Sequence, residues 1–128
     1  MLIRHNPDTL PSSFSAYSQA VEVPPGARWL HISGQVGVDP AGTLAIGAAA
    51  QIERTWRNVL GLLAAAGMGP HDLVKVNGYI VRSEDTAPYR EIRDSLLDGA
   101  EPASTLIVVP GLAHPDWLVE IEAVAAAV

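Results

Sequence analysis

The sequence contains no cysteine and little charge, and both shortages limit what the protein can be. Without cysteine it can form no disulfide bond and can hold no metal through thiolates. Its four histidines lie far apart, at positions 5, 31, 71 and 114, and form no pair at ligand spacing, so we expect no metal site. Only 17% of the residues are charged, below the quarter or so that is usual in soluble domains. We therefore expect a partner to cover part of the surface.

Positive charge and long apolar runs are scarce as well. The eight Lys and Arg residues form no basic run, and the formal net charge is −6. Because nucleic-acid binding depends largely on cationic contacts to phosphate, we expect no nucleic-acid partner. No apolar run approaches the ~20 residues that cross a bilayer, and the initial stretch MLIRHNPDTLPSS lacks the apolar centre of a signal peptide. These observations predict no membrane association and a cytoplasmic protein.

The residues that are present predict one compact domain. The chain has 128 residues, of which 48% are hydrophobic, enough for a sizeable core. No repeat, low-complexity stretch or linker divides it, so we expect a single domain over residues 1–128. Residue type and alternation predict strands, and helical spacing of apolar residues predicts helices. The predicted strands are 18–23, 29–38, 73–81, 104–109 and 118–127, and the predicted helices are 48–66 and a shorter one starting near residue 86.

The predicted order, β-β-α-β-α-β-β, fits an α+β fold with a mostly antiparallel sheet and both helices on one face. Strict alternation would turn Leu30, Ile32, Gly34 and Val36 towards the helices. The opposite sheet face would carry polar and aromatic side chains, with His31 buried and hydrogen-bonded. Acidic side chains on a central strand destabilise the fold unless they are hydrated, ion-paired or bound to a ligand. This face therefore fits a wet interface or a ligand site. Its predicted members are Trp29, His31, Ser33, Gln35, Glu120 and Glu122.

Short segments spread over nearly the whole chain carry a family resemblance. The most specific are Ser33-Gly34-Gln35 and Glu120-Ile121-Glu122-Ala123, and Tyr17–Val21, Asp72–Val76 and Pro102–Thr105 accompany them. In this order they resemble the Rid family (reactive intermediate deaminases, also called the YjgF or L-PSP endoribonuclease family). The resemblance implies a chorismate-mutase-like fold. It also implies a homotrimer with inward-packed sheets and small-molecule pockets in the clefts between subunits.

The resemblance further implies an activity, the hydrolysis of an enamine or imine to a keto acid and ammonia, without a metal or cofactor. Water would add to an imine carbon that is already electrophilic, and an acid/base group would position and activate that water. By resemblance, Glu120 is this catalytic group. The substrate contacts implied in the same way are Tyr17, Ser33, Gly34, Ser104 and Thr105.

The chain departs from the family pattern at the arginine that grips a substrate carboxylate. The corresponding strand begins Pro102-Ala103-Ser104, so Ala103 or Ser104 stands in the place of the arginine. Because charge-assisted hydrogen bonds contribute ~1.5–3 kcal/mol each, we expect weaker binding of the usual α-imino acids. Arg82 and Arg90 are the cations that would compensate. We hypothesise that Arg90 of a neighbouring subunit reaches the pocket and binds the substrate.

The loss of the arginine leaves two classes of function open. One is a hydrolase of the imine or enamine deaminase type whose substrate differs from the usual α-imino acids. The other is a non-catalytic trimer that binds a small organic ligand or regulates a partner. Ribonuclease activity, a further label of the family, fits poorly with an acidic chain that has no basic stretch.

Overall fold

The computed structural model describes all 128 residues, which form six strands and two α-helices. In chain order they are β1 (Ile3–His5), β2 (Ala20–Glu22), β3 (Arg28–Gln35), α1 (Ala48–Ala65), β4 (Leu73–Ile80), α2 (Thr86–Leu96), β5 (Ala103–Val108) and β6 (Val119–Ala127). Two short 3₁₀ turns, Pro70–Asp72 and Ser83–Asp85, lead into β4 and α2. Neither α-helix has the length and apolar character that crossing a membrane requires.

The main sheet has the strand order β3-β6-β4-β5. β6 runs antiparallel to both of its neighbours, whereas β4 and β5 are parallel and are joined through the crossover helix α2. The predicted α+β class and the mostly antiparallel sheet are therefore confirmed. β1 was not predicted, because three residues are too few to show a pattern. It pairs with β2 in a separate two-stranded sheet, so the first predicted strand lies outside the main sheet.

Both helices cover one face of the main sheet and build the core there. α1 packs on β3, β6 and α2, and its apolar stripe, which includes Ile52, Trp56 and Leu63, is fully buried. Burying side chains of this size contributes ~1.5–3 kcal/mol each, and truncating Trp56 to alanine would cost about 3–5 kcal/mol. Gly67 follows the C-cap residue of α1, and its φ of 69° is a left-handed conformation that glycine adopts without strain.

The opposite face of the sheet, here called the open face, carries no helix. Two large apolar side chains stand on it, Trp29 with 54% of its surface exposed and Ile107 with 46%. His31 stacks beside Trp29 with ring centroids 6.5 Å apart and is exposed. The expectation that His31 is buried was wrong, because no second layer covers this face within one chain.

A β-bulge interrupts β3 where it passes β6. Ile32 pairs with Ala123, but the next register point pairs Gln35 with Ile121, so β3 has one extra residue there. Strict alternation therefore fails after Ile32. Gly34 lies against a side chain of the open face instead of facing the helices, which corrects its predicted orientation.

Candidate functional site

Glu120 lies on β6 with its carboxylate directly over the bulge of β3. A Cβ atom built on Gly34 would lie only 1.9 Å from Oε2 of Glu120, so the carboxylate occupies space that any larger residue at position 34 would fill. The bulge brings this backbone towards the acid, and glycine permits the close approach. Glu120 is half-buried and forms no hydrogen bond or ion pair with the rest of the chain.

Glu122, two residues further along β6, has one of its two oxygens hydrogen-bonded. Its Oε1 accepts hydrogen bonds from the Tyr79 hydroxyl at 2.8 Å and from Nδ2 of Asn77 at 3.3 Å. The hydrogen bond from the Tyr79 hydroxyl to Glu122 raises the pKa of Tyr79 above its ordinary value. Ser33 is exposed on the same face and, with His31, Asn77 and Glu122, lines a depression of about 360 Å³. Of the two acids, Glu120 is thus the one with neither oxygen hydrogen-bonded within the chain.

A second group of predicted residues meets at the edge of the sheet. Tyr17, Arg90 and Ser104 line one small cavity of about 170 Å³, here called the edge cavity. Tyr17 is held there because its neighbour Ser18 forms a parallel bridge with Ala103 and donates its backbone N–H to the Pro102 carbonyl at 3.1 Å. Arg90 reaches the cavity from α2. Phe14, Ser15, Arg93 and Leu106 complete the wall.

Thr105 and Arg82 do not belong to this cavity. Neighbouring residues of a strand point to opposite sides, so Thr105 lies on the open face, where Nζ of Lys75 donates to its Oγ1 at 2.7 Å. Partial burial lowers the pKa of Lys75. Arg82 is engaged elsewhere by buried Asp85, with Nε to Oδ2 at 3.0 Å. Of the two cations considered as substitutes for the missing arginine, only Arg90 lines the edge cavity.

Sequence reasoning missed Arg93 in the wall of the edge cavity. Arg93 is only 3% exposed, and its Nε donates to Oδ1 of Asp94 at 2.9 Å. Its Nη2 is buried without a hydrogen-bond partner. Position 93 continues the buried stripe of α2 one turn after Tyr89, and a charged residue on such a stripe is a signal that could have found it.

The two groups occupy separate places on one subunit. Ser33, Gly34 and Glu120 lie on the open face at β3 and β6, whereas Tyr17, Arg90 and Ser104 lie at the β5 edge beside α2, and no residue lines both. The structure has no group of three or more His, Cys, Asp or Glu side chains that could hold a metal ion. Within one subunit the predicted residues therefore fall into two groups.

Comparison with known proteins connects these features to a family. The family model described as Endoribonuclease L-PSP matches residues 8–127 of the chain. The chain belongs to this family, the Rid or YjgF family. Among solved structures, the Rid-family protein YyfB from Yersinia pestis superposes with a TM-score of 0.90 at 35% identity, covering 98% of both chains. A structure of Escherichia coli TdcF with bound serine superposes with a TM-score of 0.75 at 25% identity, covering 98% of this chain and 99% of that one. The predicted chorismate-mutase-like fold is thereby confirmed.

The named proteins that are similar to this chain include deaminases. The 2-iminobutanoate/2-iminopropanoate deaminase of Mus musculus is 32% identical over 117 residues, which cover 90% of this chain and 84% of the relative. Protein DfrA of Myxococcus xanthus is 32% identical over 120 residues, which cover 92% of this chain and 90% of the relative. The sequence resemblance to the Rid family is therefore confirmed.

Proposed function

We propose that this protein hydrolyses an imine or enamine to a carbonyl compound and ammonia. The observation that carries the proposal is the carboxylate of Glu120, which is held over the Gly34 backbone with both oxygens free of protein hydrogen bonds. A carboxylate in this state is available as an acceptor for the proton of an attacking water. The names of the relatives from mouse and rat support the reaction, since both are 2-iminobutanoate/2-iminopropanoate deaminases.

The geometry supports a simple course for the reaction. An iminium carbon is attacked by water while Glu120 removes one of the water protons, so that a C–O bond forms and the C=N bond becomes single. Glu120 then returns the proton to nitrogen, which converts the amine into a leaving group. The protonated carbinolamine gives its hydroxyl proton to Glu120 as the C–N bond breaks, which yields the carbonyl product and ammonia; ammonia then takes this proton from Glu120 and leaves as ammonium. The backbone of Gly34 lies beside the carboxylate, and Ser33 lines the neighbouring depression with Glu122; both would contact the substrate.

The proposal places the reaction in a cleft between copies of the chain that assemble as a homotrimer. Trp29 and Ile107 are exposed on the open face, and a partner that covers them would remove their apolar surface from water. An adjacent copy would also bring Tyr17, Arg90 and Ser104 of the edge cavity to the Glu120 of its neighbour. Thr105, although outside the edge cavity, stands on the covered face and would remain within the interface.

The proposed ligand is a small molecule and not a nucleic acid. The chain has a formal net charge of −6, and its eight Lys and Arg residues form no basic stretch. Strong phosphate binding requires clustered cations, and most cations of this chain are engaged internally, as Arg57 is with Glu53 and Arg82 with Asp85. Catalysis in this proposal needs no cofactor, because the imine carbon is already electrophilic.

Ammonia release from imines that an amino-acid oxidase generates in the same cuvette tests the function. We expect the protein to accelerate ammonia release above the spontaneous rate and Glu120→Gln to abolish the acceleration. Glu53→Gln, the same change on the exposed side of α1, serves as the matched control and should leave the rate unchanged. Light scattering should give the mass of a trimer for all three proteins. Full activity of Glu120→Gln would refute the role of Glu120.

A second candidate, a non-catalytic small-molecule-binding trimer, is favoured by the absence of the strand arginine, which leaves Ala103 and Ser104 in its place. This candidate predicts that the wild-type protein binds small organic ligands at the interface but accelerates ammonia release from none of the imines. A well-folded monomer in solution would contradict both candidates, because both place the ligand in a cleft between subunits.

A further inference from the structure

A buried glutamine on α1 holds the stretch of chain that leads into β6. Gln51 is only 3% exposed. Its Nε2 donates to the Asp116 carbonyl at 3.1 Å, and its Oε1 accepts from the Leu118 backbone N–H at 2.9 Å. β3 has its last register point opposite Ile121, so no residue of β3 lies opposite Leu118 to form such bonds. The side-chain amide of Gln51 therefore serves as the hydrogen-bonding partner that β3 does not provide there.

The backbone of Gln51 also lies against the segment that follows the bulge of β3. A Cβ atom built on Gly37 would lie 2.7 Å from Cα of Gln51, so glycine permits this close approach. Gly37 lies three residues after Gly34, and Leu118 lies two residues before Glu120. Gln51 therefore contacts both chain segments that flank the contact between Glu120 and Gly34.

Asn58, two turns further along α1, holds the same segment of chain after β3. Its Nδ2 donates to the carbonyls of Val36 at 3.1 Å and Val38 at 2.9 Å, and its Oδ1 accepts from Nε of Arg54 at 3.1 Å. With this segment fixed to α1, the amide of Gln51 fixes the start of β6 relative to the bulge.

The Glu120 carboxylate depends on this indirect support, because it forms no hydrogen bond or ion pair of its own within the chain. Its place over Gly34 is set by the position of the β6 backbone and by the contact with the bulge. Two residues of extended chain span only about 7 Å, so a shift at Leu118 would be transmitted to Glu120.

We propose that Gln51 is a positioning residue that holds the Glu120 carboxylate over the Gly34 backbone. It acts through its bonds to Asp116 and Leu118 and stands on the helix side of the sheet, away from the open face where the substrate would lie. The positioning is a property of the fold, whereas its effect on the reaction rate rests on the proposed function. Gln51→Met keeps a side chain of similar length but removes both hydrogen bonds.

Nuclear magnetic resonance tests the positioning without any turnover. In the full-length wild-type protein, the α protons of Gly34 and the γ protons of Glu120 should give a nuclear Overhauser effect, because Cγ of Glu120 lies 3.2 Å from a Cβ built on Gly34. This effect should be lost in Gln51→Met. It should remain in Gln19→Met, the same change at a glutamine whose amide donates to the Pro11 carbonyl. Its absence from the wild-type protein, or its retention in a folded Gln51→Met protein, would overturn the inference.

The kinetics of ammonia release test the consequence for the reaction. Because Gln51 places the acid and does not contact the substrate, Gln51→Met should lower kcat at least about tenfold and leave KM unchanged. The assay is performed well below the melting temperature of each variant, where a loss of stability alone does not change kcat. A raised KM with unchanged kcat would show that Gln51 acts on substrate binding and would contradict a positioning role.

Gln51→Glu keeps the test decisive if Gln51→Met does not fold. The introduced acid has the shape of glutamine and can accept from the Leu118 N–H, but it can donate to the Asp116 carbonyl only when protonated. The Gly34–Glu120 Overhauser effect should therefore be present at acidic pH and lost at alkaline pH, whereas the wild-type protein should keep it at both. An effect retained at alkaline pH would refute the positioning role.

The inference and the proposed function fail in distinguishable ways. Ammonia release that depends on Glu120, with an Overhauser effect and a kcat unaffected by Gln51→Met, would leave the function standing and refute the role of Gln51. Loss of the Overhauser effect in Gln51→Met, in a protein that releases no ammonia, would support the positioning and refute the hydrolase. Loss of the effect with unchanged kcat would refute the contribution of Gln51 to the rate.

Discussion

Gly34→Ala should test whether the position of the Glu120 carboxylate matters, because it moves the carboxylate without removing it. The new Cβ would stand 1.9 Å from Oε2 and 2.9 Å from Cδ of Glu120, whereas real contacts are not closer than 3.0 Å. The carboxylate must therefore move by about 1 Å. The backbone of Gly34 does not have a positive φ, so alanine introduces no other strain. The acid remains in the protein, but it no longer lies over the bulge.

The expected loss of activity follows from this displacement. A misplacement of ~1 Å in a reacting group costs about 100-fold in rate, which corresponds to about 2.7 kcal/mol of transition-state stabilisation. We expect kcat/KM for imine hydrolysis to fall by about this factor. The melting temperature should change little, because the atoms that must give way are the end of a flexible side chain.

The oxidase-coupled ammonia assay and a thermal melt, performed on the same preparation, provide the measurement. Gly61→Ala is the matched control, since a Cβ at position 61 would have no neighbour within 4 Å. Unchanged kcat/KM in a folded Gly34→Ala protein would show that the reaction does not depend on where the Glu120 carboxylate lies. A variant that loses both activity and fold would show instead that the bulge is required for packing.

Two further predictions concern stability. Gly61 is an exposed position inside α1, so Gly61→Ala should raise the free energy of unfolding by ~0.5–1 kcal/mol, and a lower urea midpoint would contradict this. Tyr89 has a buried hydroxyl without a hydrogen-bond partner, and burial raises the pKa of that hydroxyl, so Tyr89→Phe should leave stability at neutral pH unchanged or raise it. Because the folded state holds the Tyr89 proton more tightly, the contribution of Tyr89 to the free energy of unfolding is present below pH ~10 and is lost as the pH rises further. Urea unfolding at neutral and alkaline pH should therefore show a smaller loss of stability at alkaline pH for Tyr89→Phe than for the wild type.

Much of the fold was predictable because it depends on periodicity. The stripe that includes Ile52, Trp56 and Leu63 repeats at helical spacing over α1, and alternation along 118–127 marks β6 as a strand with one apolar side. β1 escaped prediction because its three residues are fixed by pairing with β2 and not by any pattern of their own. The exposure of His31 was misjudged for a related reason, since the sequence does not show which sheet face lacks a covering layer.

The candidate site was predictable only as a list of residues. The family resemblance indicated Glu120 and Gly34, but the contact between them results from a β-bulge that no local sequence pattern predicts. Alternation indicated that Ser104 and Thr105 point in opposite directions, yet both were grouped together as substrate contacts. Arg93 was missed although its place on the buried stripe of α2 was a signal, and its position in the wall of the edge cavity became visible only with β5 and Tyr17 in place.

The connection between α2 and β5 has a consequence for how specificity changes in evolution. Ser18 donates hydrogen bonds to the carbonyls of Glu101 and Pro102, which fix the end of this connection. The length of the connection then determines which turn of α2 lies across from Ser104. Insertion or deletion of residues between Leu97 and Pro102 would shift α2 relative to β5 and change which side chains of α2 line the edge cavity. The length of this connection therefore influences the composition of the edge cavity as much as residue identity does.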